Sequence, residues 1–130
     1  MASYFWVAVG SALGGITRFW FSGFVAASIG ETFPWGTLFT NVIGSFVIGL
    51  FSTLSGPDGR MLVGSLTRQF VMIGFCGGFT TFSSFSLQTL NLMNEGEWFR
   101  AGANAVCSVL LCLIAAWGGH VTAVTLNAMK

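Results

Sequence analysis

The sequence predicts an all-α integral membrane protein whose four transmembrane helices are joined by short loops. Only 7% of the 130 residues are charged, whereas 54% are hydrophobic. A soluble domain normally has about a quarter of its residues charged. The nine charged side chains also leave uncharged runs of 26, 26 and 29 residues, and each run exceeds the roughly 20 apolar residues that cross a bilayer as a helix.

A chain of this length holds at most four such spans and no extramembrane domain, so we expect one domain over residues 1–130. The predicted spans are residues 3–28, 35–55, 64–93 and 98–127. Turn-forming residues separate them at 30–34, 55–60 and 94–97. Since these loops are short, neighbouring helices should run antiparallel. The chain has no Lys or Arg before Arg18, so the first apolar run is expected to be a retained helix rather than a signal peptide.

The first span contains one charged residue, Arg18, and a pair of small residues at Gly10 and Gly14. Small residues four positions apart indicate a close helix contact. Arg18 could reach the interface, bind a helix C-terminus or acidic loop residue, or add positive potential to an anion vestibule. The position of Arg18 within the span favours a structural role, and a contribution to an anion vestibule is the alternative.

The second and fourth spans each have a polar stripe at helical spacing. Polar groups in a bilayer are costly and often mark the path of a solute. The stripes consist of Thr37, Asn41 and Ser45 in the second span and of Asn104, Ser108 and Cys112 in the fourth. Small residues, Gly49 and Ala101 among them, indicate further helix contacts, within the chain and with a second copy.

The third span is unusual because its centre reads GFCGGFTTFSSFS, residues 74–86. Adjacent glycines and threonines disfavour a continuous helix, and a break inside a membrane is tolerated where freed backbone groups meet protein, ions or water. We therefore predict a break near residues 77–81, although a small-residue helix contact is an alternative interpretation. Beyond it, Phe82 and Phe85 share one helix face with serines such as Ser83 between them.

The spans contain no Asp or Glu, so they have neither a proton-carrying carboxylate nor a cation-attracting ring. Hydroxyl and amide groups can donate hydrogen bonds to an anion, and a phenyl ring has a partially positive edge. These features favour a pore for a small anion. The alternative is an aromatic core with hydrogen bonds between helices.

Other function classes fit less well. A net charge of +1 gives no basic face for nucleic acid, and no catalytic triad or metal-ligand set is present, so an enzyme is not expected. A proton-coupled small multidrug-type exporter needs a carboxylate in the membrane. A membrane anchor would leave the polar stripes without a purpose.

The positive charges are nearly balanced across the membrane. Arg60, Arg68 and Lys130 are expected on one side and Arg100 on the other, together with Arg18 if its side chain extends that way. This weak bias would let the chain insert in both orientations and form an antiparallel dimer.

The chain resembles the small bacterial fluoride channels of the Fluc/CrcB family. The resemblance covers nearly the whole length and rests on GGITRF at 14–19, PWGTL at 34–38 leading to Asn41 and Gly44, and the segment 74–86. It implies a passive channel of the bacterial inner membrane that exports fluoride through two pores in an antiparallel, dual-topology homodimer.

The resemblance also implies a structural sodium ion bound by the backbone carbonyls of Gly77 and Thr80. The resemblance and the polar stripes together give a predicted fluoride pore, and the position of Arg18 in the first span makes it the candidate vestibule residue. The pore residues are Phe82, Phe85, Asn41, Ser108, Ser83, Thr37, Asn104 and Cys112. The chain departs from the family's common residues at Ser84, Gln88 and Cys112, and the thiol of Cys112 is a poorer donor than a hydroxyl.

Overall fold

A computed structural model describes residues Met1–Met129; Lys130, which contributes to the charge balance above, lies outside them. Four helical regions are long and apolar enough to cross a membrane. They are Ala2–Ile29, Trp35–Leu54, Ser65–Asn94 and Trp98–Ala128. The prediction of an all-α chain with four candidate spans is confirmed, and the observed bounds differ from the predicted ones by at most one residue.

The first, second and fourth regions are uninterrupted helices: α1 (Ala2–Ile29), α2 (Trp35–Leu54) and α6 (Trp98–Ala128). Helix α1 ends where Gly30 adopts a left-handed φ of 102° and donates its N–H to the carbonyl of Ala26. Such a φ is accessible to glycine without steric cost, so Gly30 turns the chain into the first loop.

The third region comprises four consecutive pieces: α3 (Ser65–Arg68), a π-helical segment (Gln69–Cys76), α4 (Gly77–Phe79) and α5 (Phe82–Asn94). Between α4 and α5, Thr80 and Thr81 have extended backbones, with ψ angles of 158° and 116°. The local sequence accounts for this geometry, because two glycines weaken the preceding helix and two β-branched threonines follow it.

Helices α2 and α6 approach each other closely through glycines. A Cβ atom on Gly49 would collide with the backbone of Ala116, and one on Gly119 would collide with the backbone of Phe46. Such proximity provides dispersion contact in a membrane, where lipid supplies little hydrophobic driving force between helices. Gly49, one of the small residues expected to mark a helix contact, lies at this interface.

Helix α1 packs against the third region in the same manner. Gly10 faces the backbone of Phe70 and Gly74, and Gly14 faces the backbone of Phe75. The predicted helix contact at Gly10 and Gly14 is therefore present. It holds the π-helical segment against α1.

Two arginines bind the C-terminal ends of helices. Arg68 donates from Nη1 to Ser55 Oγ at 2.5 Å and to the carbonyl of Ser52 at 3.4 Å, at the end of α2. Arg60 donates to the carbonyl of Leu126 at 3.1 Å, near the end of α6. Positive groups there complement the negative end of the helix dipole.

Candidate functional site: an intramembrane cavity beside an interrupted helix

A cavity of about 320 Å³ lies between α2, α6 and the interrupted third region. Five of the eight predicted pore residues line it: Asn41, Phe82, Phe85, Ser108 and Cys112. The rings of Phe82 and Phe85 are tilted by 49° with centroids 5.3 Å apart. Two aromatic side chains at the start of α5 therefore face the same space as polar groups from two other helices.

A second cavity, of about 580 Å³, lies towards the first and third loops. Thr37 lines it one helical turn from Asn41 on α2, and Gln88 lines it one turn from Phe85 on α5. Because both helices pass from one cavity to the next, the two cavities follow each other along the same groove. The buried Oε1 atom of Gln88 has no hydrogen-bond partner among the described residues.

Asn41 binds the backbone of Thr81 at the interruption. Its Nδ2 donates to the carbonyl of Thr81 at 3.0 Å, and its Oδ1 accepts from the N–H of Thr81 at 2.7 Å. These two bonds replace helical bonds that the extended backbone cannot make. One amide hydrogen of Asn41 remains for the cavity, so the side chain mainly holds the backbone in place.

Helix α5 starts at this point with its N-terminal end beside the cavity. Thr81 caps it, because its Oγ1 accepts from the N–H of Ser84 at 3.1 Å. The N–H groups of Phe82 and Ser83 make none of the backbone hydrogen bonds found outside the helices, and no carbonyl lies one helical turn before them within α5. Free N–H groups at a helix N-terminus favour an anion.

The polar stripe of α6 forms a hydrogen-bond chain that leads to α5. Ser108 Oγ donates to Asn104 Oδ1 at 3.3 Å, Asn104 Nδ2 donates to Thr89 Oγ1 at 2.9 Å, and Thr89 Oγ1 donates to the carbonyl of Phe85 at 2.8 Å. Asn104 is 1% exposed and lines neither cavity. The structure therefore places it within the α5–α6 interface rather than on the cavity wall.

Two other predicted residues lie away from the first cavity. The exposed Ser83 has its Oγ 3.2 Å from Thr81 Oγ1 and lines neither cavity. Arg18 also lines neither, and its Nε donates to the carbonyl of Gly78 at 3.2 Å. This bond satisfies the carbonyl of Gly78, which has no helical partner near the interruption. Arg18 therefore has a structural contact in this chain.

The carbonyl oxygens of Gly77 and Thr80 fit a hard cation. None of the backbone hydrogen bonds found outside the helices ends on either oxygen, and both residues line the first cavity. Oxygen ligands of this type suit a hard ion such as sodium. Within Met1–Met129, no three His, Cys, Asp or Glu side chains are grouped closely enough to bind a metal.

All four acidic residues lie outside the helices. Glu31, Asp58, Glu95 and Glu97 occupy loops. The membrane-embedded carboxylate that a proton-coupled exporter needs is therefore missing from the helices, as the sequence indicated.

Sequence reasoning missed two backbone features and one side chain at this site. They are the backbone of Thr81, the free N–H groups at the start of α5, and Thr89. A signal for Thr89 was available, because residues 81, 85 and 89 share one helix face. The backbone features depend on where the interruption falls to within one residue, and composition does not fix that.

Comparison with known proteins assigns the family. The family model described as "CrcB-like protein, Camphor Resistance (CrcB)" matches residues 5–120. The chain belongs to this family. Several relatives of this CrcB chain are similar over nearly their whole length. A protein named "Fluoride-specific ion channel FluC" from Opitutus terrae is 62% identical over 130 residues, which are 100% of this chain and 98% of the relative.

Two further relatives have the same name. The protein from Methylocella silvestris is 62% identical over 98% of this chain and 97% of its own length. The one from Rhodospirillum rubrum is 58% identical over 96% of this chain and 97% of its own length. These names describe ion channels, which confirms that the family is one of channels rather than enzymes. With four helices able to span a membrane, this CrcB chain is a multi-pass membrane protein.

Proposed function

We propose that this CrcB chain is a passive, fluoride-selective channel that exports fluoride from the cytoplasm across the bacterial inner membrane. The names of the relatives support fluoride as the ion. The decisive structural observation is that Phe82, Phe85 and the N-terminal end of α5 share a cavity free of acidic side chains. An anion there would meet ring edges and N–H donors without a carboxylate to repel it.

The proposed path follows the groove between α2 and α5. An anion would enter the second cavity, where Arg100 lies among the lining residues together with Glu31 and Glu95 of the loops. It would then reach the first cavity, which has no acidic side chain in its lining. The phenyl edges and the free N–H groups at the start of α5 would replace part of its hydration shell. The interruption matters because it places the start of a helix inside the membrane-spanning region instead of at a loop.

We propose that the functional unit is an antiparallel, dual-topology homodimer with two pores. Phe82 is 76% exposed in the single chain, and the first cavity is only partly enclosed, so a second copy would complete its wall. The weak asymmetry of Arg60 and Arg68 against Arg100 supports insertion in both orientations.

A structural sodium ion is the proposed partner of the carbonyl oxygens of Gly77 and Thr80. One chain supplies two such oxygens, fewer than a hard cation normally takes, so two copies related by symmetry would contribute four. The ion would stabilise the interrupted backbone of both copies by neutralising their carbonyl dipoles.

Purified protein in liposomes is expected to release fluoride at least about 100-fold faster than chloride, because ring edges and N–H donors attract the smaller anion, with its higher charge density, more strongly. Ion-selective electrodes for both anions, applied to the same vesicles, measure the ratio. Phe82→Ile should lower the fluoride rate because an aliphatic side chain has no positive edge. Equal release of both anions, or no release of either, would contradict the proposed function.

Removal of sodium is expected to weaken the dimer. When sodium is exchanged for N-methylglucamine in detergent, light scattering should show dissociation into monomers, and readdition of sodium should reverse it. N-methylglucamine is a suitable replacement because it is too large for a carbonyl cage. A dimer that remains intact and active after prolonged exchange would rule out a required ion.

A further inference from the structure

Phe85 lies midway between two polar attachments on one face of α5. Thr81, Phe85 and Thr89 follow each other at intervals of four residues, so each attachment is about 6 Å from Phe85 along the helix axis. At the first attachment, Asn41 of α2 holds the backbone of Thr81 through two hydrogen bonds. The second connects Thr89 to α6.

The second attachment is a buried pair of side chains. Asn104 Nδ2 donates to Thr89 Oγ1 at 2.9 Å, and the Thr89 hydroxyl donates to the carbonyl of Phe85 at 2.8 Å. Asn104 is 1% exposed and Thr89 is 8% exposed. A hydrogen bond between side chains in such a dry location is directional, so it fixes the rotation of α5 against α6.

We infer that Asn104 and Thr89 are positioning residues that fix Phe85 in the pore and thereby set the discrimination between fluoride and larger anions. The inference rests on the proposed function. Neither side chain needs to touch the ion: both act through the backbone of Phe85. Apolar contacts permit α5 to slide by fractions of an ångström, whereas paired polar groups favour one register.

The ring edge of Phe85 is the group most sensitive to such a shift. Its attraction for an anion depends on a weak quadrupole and declines steeply with distance. A small anion approaches the ring edge more closely than a large anion does. Displacement of the ring should therefore lower the ratio of fluoride to chloride efflux more than it lowers the total flux. Loss of packing alone would instead lower the amount of assembled protein.

The central experiment uses the double variant Thr89→Val/Asn104→Leu. It removes both polar partners, so neither is left buried and unpaired, and assembly should be retained. The Ser108 hydroxyl can then donate to the backbone carbonyl one turn back. We expect the ratio of fluoride to chloride efflux from liposomes to fall about fivefold or more, with an elution volume like that of the unmodified protein.

Two further variants make the experiment specific. Thr125→Val is the matched control, because the hydroxyl of Thr125 binds only the carbonyl of Val121 at 3.0 Å in its own helix. It should leave the efflux ratio unchanged. Thr89→Ser keeps a hydroxyl for Asn104 and should retain most of the selectivity that the double variant loses.

A double variant with unchanged selectivity would overturn the inference, and so would one that fails to assemble, because the pair would then be a folding determinant. A ¹⁹F label on the ring of Phe85 separates this inference from the proposed function. The label's chemical shift should change in the double variant and not in Thr125→Val. If the unmodified protein released no fluoride, the proposed function would fail, while an unchanged ¹⁹F signal in the double variant would refute the positioning role itself.

Discussion

Replacing Asn41 with leucine is expected to lower fluoride efflux by about 100-fold or more, the largest effect among the side chains that line the cavity. The side chain supplies both hydrogen bonds to the backbone of Thr81, at 2.7 and 3.0 Å. Leucine has a similar volume but no polar atoms. It would leave one N–H and one carbonyl without partners, at a cost of about 1–3 kcal/mol each.

The damage would reach the ion path because Thr81 is also the N-cap of α5. If Thr81 loses its extended conformation, the free N–H groups and the ring of Phe82 move together. Asn41→Asp should be less severe for the backbone, since its carboxylate still accepts from the N–H of Thr81. It would nonetheless lower the flux by placing a negative charge beside an anion path.

Fluoride efflux from liposomes, normalised to the amount of reconstituted protein, is the appropriate measurement. Asn94→Leu is a matched control because Asn94 is exposed at the end of α5. If Asn41→Leu released fluoride at the unmodified rate, then neither the attachment at Thr81 nor the cavity it borders would belong to the path.

Adding one methyl group at Gly119 is expected to prevent stable folding, whereas the same change at the neighbouring Gly118 should be tolerated. A Cβ atom on Gly119 would meet backbone atoms of α2, including the nitrogen of Leu50 at 2.7 Å. A Cβ atom on Gly118 has only the ring of Phe46 within range, at 4.0 Å. Backbone cannot rotate away as a side chain can.

Helices α2 and α6 would therefore have to separate along their length, and we expect Gly119→Ala to cost at least about 3 kcal/mol. Gly118→Ala should be neutral or slightly stabilising, because alanine has the higher helix propensity. Thermal aggregation in detergent, followed by size-exclusion chromatography, compares the two variants directly. Equal midpoints would show that the close approach of α2 and α6 does not determine stability.

The helices could be predicted from the sequence to within a residue because their ends are set locally. Charged side chains and Gly-Pro turns are costly inside a bilayer, so they define where each helix begins and ends. The composition of residues 77–81 also predicts a departure from continuous helix, since glycine pairs and adjacent threonines act over a few neighbouring residues.

Roles within the site were harder to predict. Helical periodicity assigns Asn41 and Asn104 to polar stripes, and it led us to expect that both face an anion. The structure directs two polar atoms of Asn41 to the backbone of Thr81 and buries Asn104 against Thr89. Periodicity gives the relative direction of side chains on one helix and says nothing about which neighbour covers that face.

The amino-acid sequence alone predicts a membrane protein with four spanning helices, no carboxylate within them, and the motifs of a channel family. Which polar groups are bound by neighbouring residues follows from the fold instead. A polar group inside a membrane has no water to bind, so it forms hydrogen bonds with the partners that the fold places beside it. The N–H groups of Phe82 and Ser83 make none of the backbone hydrogen bonds found outside the helices, because the interruption removes the carbonyls that would precede them in a continuous helix.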